Sequence, residues 1–416
     1  MNMNLMLNKL LKFQIILILI FSIKISWSRI IDESIFKKRN IVNNNIIVEH
    51  QSNDQLKNYN STILSKITLV KYMDDEEKDK LKDELDDYVD ISALVTSAEF
   101  SFFNQLNDVE KHIYDVVYSE SAKDIPEFKI SVKVSNIDNM ESFLKDLQLM
   151  SLKVFAVLAY ENPELWWIGS CVYSGYQDDY TTFVVIYLMN STAGESPFAD
   201  LSADQISFLN KEIDQVKNKI MSQIAQTGLT TSYAKLRFIH DYLITKIVYT
   251  LNENRRHIRN VYGALVEEKC VCEGYAEAFQ YIARQYNINC IVARSSTHEW
   301  NFVEMNGKWY VLDATYDDPT INGRDTPSGS NDNLQLDYFL TGTEHESKGA
   351  SYPKYSTDPD HTLVYSPYSN TQRLVSYPNI EKNDYVPTEE ELNELNLIDY
   401  TFPDTITNNN RKYKIL

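Results

Sequence analysis

Along the chain, apolar residues recur at helical spacing in several long stretches. Residues 104–118 put Leu106, Val109, His112, Ile113, Val116 and Val117 on one helical period, and residues 140–160 form a longer amphipathic run that ends before Asn162-Pro163. Residues 201–227 line up Ile206, Leu209, Ile213, Val216, Ile220 and Ile224 behind the capping residues Ser202 and Asp204. Residues 232–249 repeat the pattern with Leu236, Ile239, His240, Leu243 and Ile247. A charged run at 74–89, with only Leu81 and Leu85 four apart, predicts an exposed helix with a narrow apolar stripe. Strand patterns interleave with these helices. Residues 129–135 alternate, while 164–168 and 182–189 are near-continuous apolar runs.

The second half changes character. A helix is predicted to begin near Cys272, with Tyr275, Ala276, Phe279, Ile282 and Ala283 as its apolar flank. Strands follow over 288–294, from His298, and from Lys308, the last two joined by Asn306-Gly307, a strong short-range hairpin signal. Residues 320–332 are rich in Gly, Asn, Asp, Ser and Pro and predict a loop; 336–340 predict a short strand. Beyond this the chain is rich in Tyr, Pro, Asn and Ser, has little period, and is expected to wrap the core. The pattern as a whole predicts an α+β protein.

Three side chains in this half combine into a chemistry. Cys272 lies where a loop gives way to a helix, so its thiol faces the positive end of the helix dipole. His298 opens one hairpin strand and Asp313 ends the other. A thiol, an imidazole to take its proton and a carboxylate to orient the ring are the parts of a nucleophilic triad. Each residue alone has a bland alternative: a buried cysteine, a satisfied histidine, a turn-forming aspartate. Taken together, Tyr262–Val266 (Tyr-Gly-Ala-Leu-Val), Val271–Ala276 (Val-Cys-Glu-Gly-Tyr-Ala), His298–Asn301 (His-Glu-Trp-Asn) and Lys308–Pro319 resemble the transglutaminase-like superfamily of papain-type cysteine enzymes.

The resemblance is specific over 233–319. It implies a papain-like core, a nucleophile helix packed on an antiparallel sheet, with an N-terminal α/β companion domain. It also implies Cys272 as nucleophile, His298 as general base and acid, and Asp313 as orienter. The implied reaction is attack on a protein or peptide amide through a thioester, closed by an amine or by water. Tyr316 stands where the family often has Trp, and Cys270 is an extra thiol outside the motif. The backbone N–H of Cys272 is expected to contribute to an oxyanion hole. The alternative from another class is a secreted binding or structural protein that keeps the fold without the reaction; three intact residues count against it.

Composition narrows the setting. Lys plus Arg number 40 against 59 Asp plus Glu, a formal charge of −19, which argues against nucleic acid or an anionic membrane as partner. Zinc-type spacing, a phosphate loop and an EF-hand are absent from the sequence, so no metal or cofactor is expected; Asp317-Asp318 is weak ground for a cation. Lys9 and Lys12, the apolar run 13–23 and Ser26-Trp27-Ser28 read as an export signal, with an uncleaved anchor as the lesser alternative. The expected organisation is a signal peptide at 1–28 and a linker or pro-segment at 29–95. A companion domain at 96–230, a catalytic core at 231–345 and a C-terminal extension at 346–416 complete it. If Cys272 stays free, Cys171, Cys270 and Cys290 leave room for one disulfide at most. Asn60 and Asn190 fit the glycosylation pattern.

Overall fold

The computed structural model describes residues 68–69, 100–135, 137–177, 183–189, 197–252, 254–318, 334–346, 354–367, 372–399 and 402. The export signal, the charged helix at 74–89, both glycosylation motifs and the loop at 320–332 lie outside the described residues.

In the N-terminal half, helix α1 (Asp108–Ser121) opens with a capping box between Asn107 and Glu110, which occupies two otherwise orphaned N–H groups. It packs with α2 (Met140–Glu161) against a four-stranded sheet. That sheet has the order β1 (Thr68–Leu69), β3 (Ser170–Gln177), β4 (Phe183–Met189), β2 (Lys129–Val134). β3, β4 and β2 pair antiparallel, and β1 pairs parallel to β3. Strand β2 keeps the alternating burial its sequence predicts.

One expectation fails here, and one strand went unforeseen. The aromatic run at 164–168 is not a strand: Pro163 fixes the first position of a 3-10 turn, Pro163–Leu165, and Trp166 and Trp167 enter the core from irregular backbone. The strand lies just beyond, at β3, where the sequence Ser-Cys-Val-Tyr-Ser-Gly-Tyr-Gln shows no pattern of its own and is recruited by its neighbours.

Helix α3 (Ala203–Thr227) begins in a second capping box, Ser202 with Gln205, and stops at Gly228, whose left-handed φ of 79° suits glycine. Helix α4 (Ser232–Lys246) ends earlier than its apolar period, since Val248–Tyr249 turns into strand β5 and pairs with β6 (Lys269–Cys270). Short helix α5 (Val261–Leu265) and then α6 (Cys272–Ala283) follow.

Helix α6 packs between α4 and α5 on one side and the antiparallel sheet β7 (Cys290–Arg294), β8 (Glu299–Met305), β9 (Lys308–Leu312), β10 (Phe339–Thr341) on the other. Asn301 of β8 fastens the two by donating from Nδ2 to the Ala276 carbonyl at 3.0 Å. The β8–β9 hairpin turns at Asn306 (φ 55°) and Gly307 (φ 77°), both in the left-handed region that the Asn-Gly pair supplies cheaply. The predicted strand at 336–340 forms later, as β10, and only three residues long. The chain is therefore α+β, with helix α6 packed on an antiparallel sheet and an α/β part before it.

The C-terminal extension wraps this core. Val364 N–H donates to the Arg294 carbonyl and Glu381 N–H to the Trp309 carbonyl, both at 2.9 Å. Helix α7 (Glu389–Glu394) ends with Glu394 accepting from the Thr230 and Thr231 amides at the start of α4. All four cysteines are buried and free, so no disulfide forms. No helix among the described residues is long and apolar enough to cross a membrane.

Candidate active site

Cys272 is the first residue of α6, and Val271 occupies the N-cap with no side-chain hydrogen bond. A Ser or Asp there would tie up an N–H and add about 1 kcal/mol to the helix. Valine offers no side-chain acceptor; the Gly274 amide turns back to the Val271 carbonyl at 3.0 Å, and the Cys272 amide, as the first of the helix, has no acceptor within it. This is where an oxyanion would be stabilised.

The helix start is forced close to the preceding strand. A Cβ on Gly274 would lie 2.6 Å from Cys270 Sγ and 3.2 Å from the Asn260 carbonyl oxygen, so only glycine fits. Cys270 is fully buried in that contact, and burial pushes its thiol well above the usual range, with nearby Cys272, Glu273 and Asp318 adding to the effect. Such a thiol stays protonated and inert. Arg259 Nη1 donates to buried Glu273 at 2.7 Å and so holds the residue after Cys272.

His298 lies just before β8 and Asp313 just after β9, at the same end of the hairpin. The structure brings the histidine and the aspartate together: His298 Nε2 donates to Asp313 Oδ2 at 2.5 Å, and Cys272 lies close enough to the same ring to act on it electrostatically. With Nε2 committed to the carboxylate, Nδ1 is the nitrogen left for the thiol. Tyr316 stacks on the imidazole at 4.6 Å between centroids, and Trp300 is near-parallel to it at 5.8 Å.

Burial alone would favour a neutral His298, but the Asp313 carboxylate and Cys272 reverse this and hold the ring well above its ordinary range. Burial alone would likewise raise Asp313, yet the His298 and His361 rings more than offset it and keep the carboxylate well below its usual range. Asp313 is further fixed through Oδ1, which accepts from the Thr315 and Tyr316 amides at 2.9 and 3.0 Å. All three side chains are nearly buried, with Cys272 only 3% exposed.

His361 is a member that sequence reasoning missed. Its Nε2 donates to the same Oδ2 of Asp313 at 3.0 Å, and its Nδ1 meets Asp358 Oδ2 at 3.0 Å. The only available signal was Asp-Pro-Asp-His at 358–361, an Asp cap ahead of a helical Pro, inside an aperiodic segment. The ligating atoms of His298, Asp313 and His361 lie within 4.8 Å of one another, the one grouping among the described residues with the composition of a metal site. Their facing atoms are already spent on each other, two ring N–H groups on one carboxylate oxygen, so the set reads as a proton-linked network.

His240, Asp317 and Asp318 lie apart from the thiol. His240 donates to Asp241 at 2.8 Å and to Asp317 at 3.0 Å, and Asp317 Oδ1 takes the Tyr338 amide at 2.8 Å. Asp318 accepts from the Tyr275 hydroxyl at 2.8 Å. The adjacent carboxylates thus brace the loop after Asp313 against α4 and α6, a different use from the weak cation reading.

Residues 219–314 match the family model described as the transglutaminase-like superfamily. The match runs from α3 to one residue past Asp313, so it contains Cys272, His298 and Asp313 and excludes His361. This segment carries the transglutaminase-like core. No curated protein matches the chain. Among solved structures, a provisionally assigned cysteine protease from Cytophaga hutchinsonii is similar at 18% identity, over 32% of this chain and 54% of that one, with a TM-score of 0.22. A TGase is similar at 15% identity, over 37% and 45%, with a TM-score of 0.23. The chain spans about half the length of these two proteins.

Proposed function

We propose that the protein is a secreted cysteine enzyme acting on protein or peptide amides through a thioester. The observation that carries this reading is the buried His298–Asp313 hydrogen bond with Cys272 beside the same ring, at the uncapped start of α6. Cys272 Sγ attacks the amide carbonyl carbon, an S–C bond forms, and the oxygen is received at the helix start. As the C–N bond breaks, the proton held by His298 passes to the departing nitrogen. An amine or a water then attacks the thioester, His298 takes the proton of the incoming nucleophile, and Cys272 is released.

The same reading assigns the catalytic part to 231–345, a companion domain to 96–230 and an extension to 346–416, with export directed by residues 1–28. The test is incubation with casein and a fluorescent alkylamine. Amine incorporation with ammonia release means acyl transfer to an amine, ammonia alone means deamidation, and new chain ends mean proteolysis. Cys272→Ala is expected to abolish whichever product forms. A wild-type protein that yields none of them, and whose Cys272 is alkylated no faster than free cysteine, would refute the reading. For export, N-terminal sequencing of material from the medium should start after Ser28.

A further inference from the structure

The network at Asp313 extends past the segment that carries the core. His361 closes a short 3-10 turn, Pro359–His361, which Asp358 caps by accepting the Asp360 amide at 2.9 Å. Asp360 pins that turn over the site, taking the Thr297 hydroxyl at 3.1 Å and the Tyr316 hydroxyl at 2.9 Å. The tyrosine that replaces the family's usual tryptophan thus supplies one of the two clasps. The His361 ring is fully buried among Trp300, Tyr316, Tyr338 and Tyr355, all with centroids 4.8–5.3 Å away.

A cage of aromatic rings packs a phenylalanine more cheaply than an imidazole, whose two nitrogens must be satisfied. Both are: each faces a carboxylate oxygen at 3.0 Å. One of these contacts falls on the very oxygen that His298 uses. With Oδ1 held by two amides and Oδ2 by two rings, the Asp313 carboxylate cannot rotate.

We propose that His361, oriented by Asp358, is a positioning residue of the reaction: it fixes the Asp313 carboxylate that in turn orients His298. The active site would then be completed from the C-terminal extension. This rests on the reading of Cys272 as nucleophile.

Two near-isosteres separate this role from simple packing. His361→Gln keeps an N–H donor at the Nε2 position, toward Asp313. His361→Asn keeps one at the Nδ1 position, toward Asp358, and offers Asp313 nothing. In the full-length protein, with casein and a fluorescent alkylamine, His361→Asn should lower kcat about tenfold or more while KM changes less than about threefold. His361→Gln should recover to within about threefold of wild type. If His361 served only to hold the turn, Asn would be the better replacement.

Both variants folded by circular dichroism with unchanged kcat, or rescue by Asn in place of Gln, would overturn the proposal. Should neither fold, Asp358→Asn decides, as it leaves the Asp313 contact in place but loosens its support: an unchanged kcat overturns the proposal and a loss of about threefold or more upholds it. A wild-type protein with no turnover and an ordinary Cys272 overturns the underlying reading as well, and is told apart by that control.

Discussion

Replacing Asp313 with asparagine removes one charge and changes one atom, and the structure dictates where that atom goes. Oδ1 accepts from the Thr315 and Tyr316 amides at 2.9 and 3.0 Å and must stay an oxygen. The new side-chain amide nitrogen of D313N therefore takes the place of Oδ2, facing ring N–H groups at 2.5 and 3.0 Å. Donor then meets donor. The cheapest relief is for His298 to move its proton from Nε2 to Nδ1, the nitrogen that serves Cys272. In that tautomer the ring cannot accept the thiol proton.

Wrong-tautomer losses in other triads are about a thousandfold or more, which at about 1.36 kcal/mol per tenfold is about 4 kcal/mol of barrier. Stability should fall by less, about 1–3 kcal/mol for the disturbed buried pairings. The pH dependence has a definite sign. Asp313 raises His298, so the wild-type ring stays protonated, and able to supply the leaving amine, to high pH. Without the carboxylate the ring deprotonates earlier, and the basic limb of turnover moves to lower pH. Turnover against pH, with urea unfolding as the control, checks each part. A folded D313N whose kcat and basic limb both coincide with wild type would show that Asp313 only ends a strand.

Three further outcomes follow from other parts of the structure. Cys272→Ala should abolish turnover while Cys270→Ala keeps most of it; mapping the alkylated residue by mass spectrometry gives an independent check. Gly274→Ala should destabilise by about 1–3 kcal/mol in urea unfolding, because its Cβ meets Cys270 Sγ at 2.6 Å, and the loss should be non-additive with Cys270→Gly. Burial alone would raise Glu394, but the Thr230 and Thr231 donors outweigh it and bring the carboxyl down from 4.5 to about 2. A depressed carboxyl stabilises the fold above its unfolded value and loses that contribution as pH falls from about 4.5 toward 2. Glu394→Gln should therefore cost under about 1 kcal/mol at neutral pH, the group lying half-buried at the surface and screened by solvent, and should flatten the acid limb of stability; equal slopes in both proteins would dismiss it.

The sequence made the hairpin and the helix start legible because their signals are local. Asn306-Gly307 dictates its own turn, and the run from Lys308 to Asp313 brings the carboxylate to the same end as His298 at whatever register that turn sets. Strand β3 was illegible for the opposite reason: with Gly175 and two serines it has no face of its own, and its place comes from pairing with β1 and β4. The Trp166-Trp167 run misled because aromatic residues mark burial rather than strand, and Pro163 had already fixed a turn. His361 could not be found by period or motif, since what defines it is a contact 48 residues back along the chain.

That distance has a meaning in time. At the pace of synthesis, about 5–20 residues per second, the 48 residues from Asp313 to His361 take about 2–10 s to appear. A core that collapses as soon as β9 is made does so with the carboxylate held by His298 and two amides alone. Its fourth donor arrives with the segment that lies down last. A chain stopped or clipped before residue 358 would keep helix α6, the hairpin and every residue of the matched family segment, and still lack that contact. In this fold, loss of the C-terminal segment takes a hydrogen-bond partner away from Asp313.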